Sequence, residues 1–275
     1  MTKILNLSAR LLGLSLSLGI ASGVAGEIPR DTRYLALGDS ISFGFNPLVP
    51  LGDLNQYTGF PEILSRIIHR KVANASCFGE SSGSFLVLNA PDLGCQAWRA
   101  NFPLHVAYSG TQMQYTLDYL KANLKKTDLI TIDLGGNDLG LLLLSCNFDV
   151  SCARNGLGAA LAAYAQNLMA VFGAIRGTGY TGPIIAFTPY AVNYNDPVEV
   201  GGLMLLNGTL AQVAPAFNVT VADIFGAFLA ADIPFGNNSC AAGLLIQLPN
   251  GTCDTHPTLA GQTLIAQTIA ALIAK

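Results

Sequence analysis

Short apolar runs alternate with longer segments of helical periodicity, and this alternation most constrains how the chain can fold. The runs at 34–37, 128–134, 183–188 and 219–223 predict strands, and a weaker run at 72–75 predicts one more. Helical spacing of apolar residues recurs in the following segments: 60–68, 112–124, 157–176, 203–214 and 258–274. Repeated strand–helix alternation predicts a mostly parallel sheet of five strands with helices on both faces.

Length and composition favour one compact domain. The chain has 275 residues, and no repeat, charge block or Pro/Ser-rich linker divides it. Hydrophobic residues make up 51% and charged residues 11%, which suits a large buried sheet. The net charge of −3 provides no basic surface for a phosphate backbone, so nucleic acid is not an expected partner. We predict a single α/β domain over 26–275.

The first 25 residues have the pattern of a signal peptide. Lys3 and Arg10 supply positive charge, 11–21 is apolar, and small residues at 23–25 offer a cleavage site. The apolar run is shorter than the roughly 20 residues that a membrane-spanning helix needs. We therefore expect cleavage after Ala25, export from the cytoplasm (secreted or periplasmic), and no stable membrane anchor afterwards.

The cysteine pattern agrees with export. Six cysteines are present without a C-x-x-C pair of the kind that binds zinc or serves thioredoxin chemistry. Disulfides are expected in an oxidising compartment, although six thiols permit 15 pairings. The simplest pairing is sequential: Cys77–Cys95, Cys146–Cys152 and Cys240–Cys253.

Chemically suggestive residues fall in four loops of the predicted fold. Ligands of open parallel sheets bind beyond the carboxyl ends of the strands, so such loops are the place to search. The four loops contain these residues: Gly38-Asp39-Ser40, Gly79 in the segment 74–80, Gly135-Gly136-Asn137-Asp138, and Cys253-Asp254-Thr255-His256-Pro257.

These loops contain the groups that acyl transfer requires. A serine hydroxyl is a weak nucleophile until a neighbouring imidazole removes its proton. Of three histidines, His69 lies in a predicted helix beside basic residues and His105 in a loop, whereas His256 stands at a loop–helix junction. We predict Ser40 as the nucleophile and His256 as its base.

A developing oxyanion also needs fixed hydrogen-bond donors. The backbone amides of Ser40 and Gly79 and the side chain of Asn137 are candidates for that role. Cofactors are not required by this chemistry, and three scattered histidines without an H-E-x-x-H motif do not indicate a metal site.

Four sequence blocks resemble the SGNH, or GDSL, hydrolase family. They are, in chain order: 35–40 (LALGDS), 74–79 (NASCFG), 135–138 (GGND) and 254–257 (DTHP). The resemblance implies a three-layer α/β/α sandwich of the flavodoxin-like kind and metal-free hydrolysis of carboxylic esters. It also implies Gly79 and Asn137 as oxyanion-hole donors. The cysteine layout looks like that of secreted lipase-like branches.

One position departs from the family pattern. The family's acid usually stands three residues before the histidine, where this chain has Cys253, whereas Asp254 stands two before. Either Asp254 orients His256 as the acid of a triad, or a backbone carbonyl does so and the enzyme uses a Ser–His dyad. We favour Asp254.

Several alternatives stay open from the sequence alone. Ser81, in a G-x-S-x-G match at 79–83, is a competing nucleophile, although 85–88 after it looks β-like rather than helical. Phe43 and Phe45 could line an acyl pocket or pack in the core. Lipid esters, short-chain acyl esters and sugar acetates all suit the predicted chemistry, and a non-catalytic binding protein on the same scaffold is the rival from another class.

Overall fold

A computed structural model describes residues 31–274 of the chain, and the predicted signal peptide lies outside these residues. Five parallel strands form one sheet in the order β2-β1-β3-β4-β5. The strands are β1 (Tyr34–Gly38), β2 (Val72–Asn74), β3 (Leu129–Asp133), β4 (Ile184–Phe187) and β5 (Val219–Ala222). A separate antiparallel pair consists of β6 (Leu245–Gln247) and β7 (Cys253–Pro257).

Ten α-helices connect and cover these strands in the described part of the chain. Their bounds, in order, are α1 (Ser40–Phe43), α2 (Phe60–Ile67), α3 (Ser82–Leu86), α4 (Cys95–Asn101), α5 (Gln112–Asn123), α6 (Gly136–Ser145), α7 (Val150–Gly177), α8 (Pro197–Val213), α9 (Ile224–Asp232) and α10 (Leu259–Ile273).

Alternating side chains of the sheet enter two separate cores. In β1, Leu35 and Leu37 pack with α3, α5, α7 and α8 on one face. Tyr34 and Ala36 pack with α2, α9 and α10 on the other face. The sheet is therefore the middle layer of an α/β/α sandwich, as the sequence predicts.

The two longest helices are apolar along much of their length. Residues 150–177 and 197–217 have the length and mean hydropathy of membrane-spanning segments. Both pack against the sheet: α7 buries Tyr164, Phe172 and Ile175 there, and α8 buries Leu206 and Leu210. Core helices of globular domains share these properties, so length and hydropathy alone do not distinguish the two cases.

For two helices, the start predicted from the sequence lies several residues after the start that the structure shows. Helix α7 begins at Val150 rather than 157, because the Asp149 side chain caps it and Cys152 is held by a disulfide. Helix α8 begins at Pro197 rather than 203, because Asp196 caps its first turn. Pro197 suits a first helical position, where its missing N–H costs nothing.

Three disulfide bonds each join one cysteine to the next cysteine along the chain. The pairs are Cys77–Cys95, Cys146–Cys152 and Cys240–Cys253, which is the simplest of the pairings that the sequence permits. Two of them lie beside predicted site residues, since Cys77 precedes Gly79 and Cys253 precedes Asp254.

Candidate active site

Ser40 lies where β1 passes into α1, at the carboxyl edge of the sheet. Asp39 caps the helix, and its side chain accepts a hydrogen bond of 2.9 Å from the amide of Ile41. Gly38 has a φ of +141°, and a Cβ there would lie 2.5 Å from the carbonyl oxygen of Asp133. Glycine is therefore required for the chain to turn this close to β3 and to present Ser40 at the sheet's edge.

A pair of buried carboxyl groups lies beneath Ser40. Burial, and then the neighbouring Asp133, raise the pKa of Asp39 well above its ordinary value. Burial also raises the pKa of Asp133, to about 6, although hydrogen bonds from Asp39 and Ser42 oppose that rise. Two carboxyl groups this close favour a state in which one of them keeps a proton. The amide of Ser42 donates to Asp133 over 3.2 Å, so the pair also holds the first turn of α1.

Gly79 lies in the loop after β2 with a φ of +74°. Its carbonyl accepts a hydrogen bond of 2.8 Å from the amide of Leu93, and a Cβ at this position would meet the Leu93 carbonyl carbon at 2.4 Å. The disulfide between Cys77 and Cys95 ties the same loop to α4. The position of the Gly79 amide is thus fixed by three separate constraints.

Asn137 joins the loops that carry Ser40 and Gly79. It lies in the first turn of α6, and its Nδ2 donates to Asp39 Oδ2 and to the carbonyl of Glu80, each over 2.9 Å. The neighbouring Asp138 accepts from the amide and hydroxyl of Ser82 and so fixes α6 against α3. The structure therefore brings three of the four predicted loops together.

Two backbone amides at this place have no acceptor. Within residues 31–274, neither the Ser40 nor the Gly79 N–H donates a hydrogen bond to another protein group. Most backbone N–H groups away from solvent are hydrogen-bonded in native proteins, and exceptions call for an explanation. Donors that are fixed but unused are what a tetrahedral oxyanion needs.

His256 lies in β7 with its ring oriented by Asp254. His256 Nδ1 and Asp254 Oδ1 are 2.5 Å apart, and the His256 amide donates to the same oxygen over 2.9 Å. Burial opposes ionisation of Asp254, but these hydrogen bonds outweigh it and lower the pKa of the carboxyl. Because Nδ1 is hydrogen-bonded to Asp254, Nε2 is the ring nitrogen that can accept a proton.

Two aromatic rings that also contact each other pack against the imidazole. The Phe45 ring meets His256 edge-on at 4.8 Å between centroids, and the Phe78 ring stacks at 6.1 Å. In the described residues no hydrogen bond joins the Ser40 hydroxyl to His256, and catalytic hydrogen bonds often tighten only when substrate binds. Ser40 and Thr255, the neighbour of His256, line the same cavity.

Phe43 and Phe45 pack in a core rather than in that cavity. Both are buried in an aromatic cluster with Tyr57 and Trp98, beside the predicted site. Of the two uses that the sequence left open, the structure supports packing. Phe45 contributes to the site indirectly, through its contact with His256.

Ser81 is not available as a nucleophile in this structure. Its side chain is 2% exposed, donates to the Pro91 carbonyl over 2.8 Å and accepts from the amide of Ser84 at the start of α3. The expectation of β-like structure at 85–88 is wrong in part, because α3 extends to Leu86. Nevertheless, β2 ends at Asn74, so Ser81 does not directly follow a strand as a nucleophile elbow does.

Sequence reasoning missed Asp133, Glu80 and Gln112. Gln112 hydrogen-bonds both the amide and the carbonyl of Gly38, over 2.7 and 2.9 Å, and its Nε2 also donates to Glu80. Glu80 is nearly inaccessible, and burial raises its pKa to about 7. The sequence signal for Asp133 was an acidic residue at the end of a mostly apolar strand at 129–133. No local pattern in the sequence indicates that Glu80 and Gln112 contact each other.

The family of the chain follows from its sequence match. The family model described as GDSL-like Lipase/Acylhydrolase matches residues 36–264. The chain belongs to the GDSL-like lipase/acylhydrolase family. The resemblance noted in the four sequence blocks is thereby confirmed, and this GDSL hydrolase is a carboxylic ester hydrolase. A search of curated proteins finds no match.

Solved structures of similar fold include lipases and esterases. Phospholipase A1 from Streptomyces albidoflavus is 18% identical, with a TM-score of 0.58 over 88% of this chain and 99% of its own. The extracellular lipase from Streptomyces rimosus is 18% identical, with a TM-score of 0.59 over 87% and 99%. The acetylxylan esterase Axe2 from Geobacillus stearothermophilus is 17% identical, with a TM-score of 0.55 over 90% and 96%. These similarities establish that the chain has the α/β/α sandwich fold of GDSL hydrolases.

Proposed function

We propose that the protein is an exported ester hydrolase in which Ser40 forms an acyl-enzyme with His256 as base and Asp254 as the orienting acid. The observation that carries this proposal is the Asp254–His256 pair beside the β1–α1 turn, in a cavity that Ser40 also lines. Asp254, rather than a backbone carbonyl, is the group bonded to Nδ1.

The proposed reaction has two steps with the proton held by His256. In the first, Nε2 takes the Ser40 proton as Oγ attacks the ester carbonyl, and the same proton passes to the departing alcohol. In the second, a water molecule loses a proton to His256 and attacks the acyl-enzyme, which releases the carboxylic acid and restores Ser40. Both tetrahedral intermediates carry an oxyanion, for which the free amides of Ser40 and Gly79 are positioned donors, with Asn137 beside them.

Export is supported by two independent features. The sequence of 1–25 fits a cleaved signal peptide, and all cysteines of the described chain form disulfides. One of the structural neighbours is an extracellular lipase. Mass spectrometry of the protein recovered from culture medium or periplasm should find an N-terminus at Gly26.

The nucleophile is tested by comparing the mature protein with Ser40→Ala and Ser81→Ala variants. Hydrolysis of p-nitrophenyl acetate and butyrate is followed, and circular dichroism confirms that each protein is folded. We expect Ser40→Ala to lose at least about 10³ in kcat, because the nucleophile acts with its base as a unit. Ser81→Ala should retain kcat within about threefold at a modest cost in stability, since it loses a helix cap and the hydrogen bond to the Pro91 carbonyl but no proposed catalytic group.

Labelling with a serine-directed phosphonate separates the remaining alternatives. Mass shift on Ser40 supports the proposal, and a shift on Ser81 overturns it in favour of the nucleophile elbow. Absence of both labelling and ester hydrolysis in the folded protein favours a binding protein on a hydrolase scaffold.

A further inference from the structure

A cavity of about 970 Å³ opens beside Ser40 and is apolar away from the nucleophile. This volume is at the upper end of the range for small-molecule sites and far exceeds what an acetyl group fills. Polar side chains of Asp39, Asp133 and Asn137 lie at the Ser40 end. Leucines supply much of the remaining wall: Leu139, Leu142, Leu143, Leu157, Leu203 and Leu205.

Glycines keep the space between α6 and α8 open. Gly140 of α6 and Gly201 and Gly202 of α8 line the cavity. A Cβ at Gly202 would lie 4.0 Å from Leu139 Cδ1, which also lines the cavity, so position 202 faces α6. Any larger side chain at this position would project into the cavity.

Charged groups in the wall have other roles. The Asp196 carboxylate caps α8 through the amides of Val198 and Glu199. The Glu199 carboxylate accepts from the amides of Val192 and Asn193. Arg154 is exposed to solvent. Because the two carboxylates are bonded to backbone amides and Arg154 faces solvent, a ligand that extends from Ser40 would contact mainly the leucine side chains of the wall.

The mouth of the cavity is also apolar and faces solvent. Phe148 is 69% exposed, and Val150, Val198 and Leu205 are exposed as well, yet all four line the cavity. The Cys146–Cys152 disulfide holds the α6–α7 corner that carries Phe148. Exposed apolar surface continuous with a cavity is characteristic of a site for apolar ligands.

We infer that this cavity binds the acyl chain of a lipid-like ester and that chains of about eight carbons or more are preferred over acetyl groups. The inference rests on the proposed role of Ser40, from which the chain extends between α6 and α8. A sugar acetate would need only a small acyl space and would bring hydroxyl groups that require hydrogen-bond partners. The leucine wall offers burial to methylene groups instead.

The test blocks the cavity with a single side chain. Wild type, Gly202→Leu and the control Gly208→Leu are assayed with p-nitrophenyl acetate, butyrate, hexanoate and octanoate, each below its aggregation limit. Gly208 belongs to the same helix, does not line the cavity, and a Cβ there would meet nothing within 4 Å. Leucine has a higher helix propensity than glycine, so both variants should fold.

We expect kcat/KM of the wild type to rise about two- to fourfold for each added methylene. Gly202→Leu should lower the ratio of kcat/KM for octanoate to that for acetate by about tenfold or more, while Gly208→Leu keeps the wild-type ratio. A wild type that hydrolyses acetate through Ser40 with no gain for longer chains overturns the inference and leaves the proposed function intact. An unchanged ratio in Gly202→Leu also overturns it.

Binding without catalysis provides the independent readout. Titration of Ser40→Ala with dodecanoate in a calorimeter should show binding that Gly202→Leu weakens about tenfold and Gly208→Leu does not. Dodecanoate binding that is absent, or equal in both variants, contradicts the acyl-chain site even if every ester assay fails for another reason.

Discussion

At the scale of single residues, the hydrogen bonds of Asn137 bear on its proposed role as an oxyanion-hole donor. Both hydrogens of its Nδ2 are directed at protein acceptors, Asp39 Oδ2 and the Glu80 carbonyl. In the described residues the amides of Ser40 and Gly79 donate to no protein acceptor, so an oxyanion could accept from them without displacing an existing hydrogen bond. Asn137 would therefore contribute in two ways: as a donor that shares one hydrogen with the oxyanion, and as the link that holds the two amides in register.

Replacing Asn137 tests both contributions at once. Asn137→Ala should lower kcat by about 10²–10³, because the variant loses a fixed donor and also the link that holds the Ser40 and Gly79 amides in place. KM should change much less, since the effect belongs to the transition state. Steady-state kinetics on p-nitrophenyl butyrate measures this directly.

Asn101→Ala is the matched control, because Asn101 is an exposed asparagine in α4. It should keep the wild-type kcat. A kcat within threefold of wild type for folded Asn137→Ala would contradict a role for this side chain in the oxyanion site.

At the scale of elements, the β6–β7 pair, which is separate from the main sheet, carries His256, the proposed base. The Asp254 and His256 side chains both belong to β7, and the Tyr190 hydroxyl donates to the Thr255 carbonyl between them over 2.9 Å. The Cys240–Cys253 disulfide closes the loop immediately before Asp254. A short strand pair is marginally stable alone, so we expect this covalent link to control the position of His256.

Removal of the Cys240–Cys253 bond should therefore affect activity as well as stability. In the double variant Cys240→Ala/Cys253→Ala we expect a loss of about 2–4 kcal/mol in the free energy of unfolding. We also expect kcat to fall about tenfold or more at a temperature where the protein is folded, because small displacements of a base are costly. Chemical denaturation and acetate hydrolysis provide the two measurements.

The Cys146→Ala/Cys152→Ala variant is the comparison, since that bond lies in the α6–α7 corner, away from His256. Its kcat on acetate should change less than threefold. Equal losses of kcat in the two double variants would show that the disulfides act only through global stability.

At the scale of the whole molecule, buried acids make folding depend on pH. Burial raises the pKa of Glu80 to about 7 and of Asp133 to about 6, and raises that of Asp39 as well. The folded state therefore holds protons that the unfolded chain releases near its ordinary pKa values. The stability that these groups contribute is complete below their pKa in the unfolded chain, and it is lost as the pH rises through their pKa in the folded protein.

We expect Glu80 alone to account for a decrease of about 3 kcal/mol in the free energy of unfolding between pH 4 and pH 8. Glu80→Gln should remove that part of the slope and make the protein more stable than wild type at pH 8. Glutamine can still bond Ser84 and Gln112, the partners of Glu80. Urea denaturation across this pH range measures the effect.

Asp118→Asn serves as the control because Asp118 is exposed on α5. Its pH dependence should match that of the wild type. A Glu80→Gln variant with an undiminished slope would mean that folding does not raise the pKa of Glu80.

Local patterns along the chain carried most of the fold. Apolar runs identified the five strands of the main sheet, and three of the four motifs lie in loops at its edge, whereas the fourth, predicted as a loop at 253–257, forms strand β7. Helices α1, α3, α4, α6 and α9 were not predicted, because they are short or contain glycine or lack an amphipathic pattern. The early start of α7 depends on a cap and a disulfide that periodicity does not register.

The sequence by itself determined the family, the order of the five strands of the main sheet, and the identities of Ser40, Gly79, Asn137, Asp254 and His256 as candidates. The tertiary structure decided the bond between Asp254 and His256, the burial of Ser81, and the pairing of Asp39 with Asp133. It also decided the apolar cavity between α6 and α8. Periodicity and motifs depend on neighbours in the chain, whereas a cavity or a pair of buried carboxyl groups depends on side chains that only the packed sheet brings together.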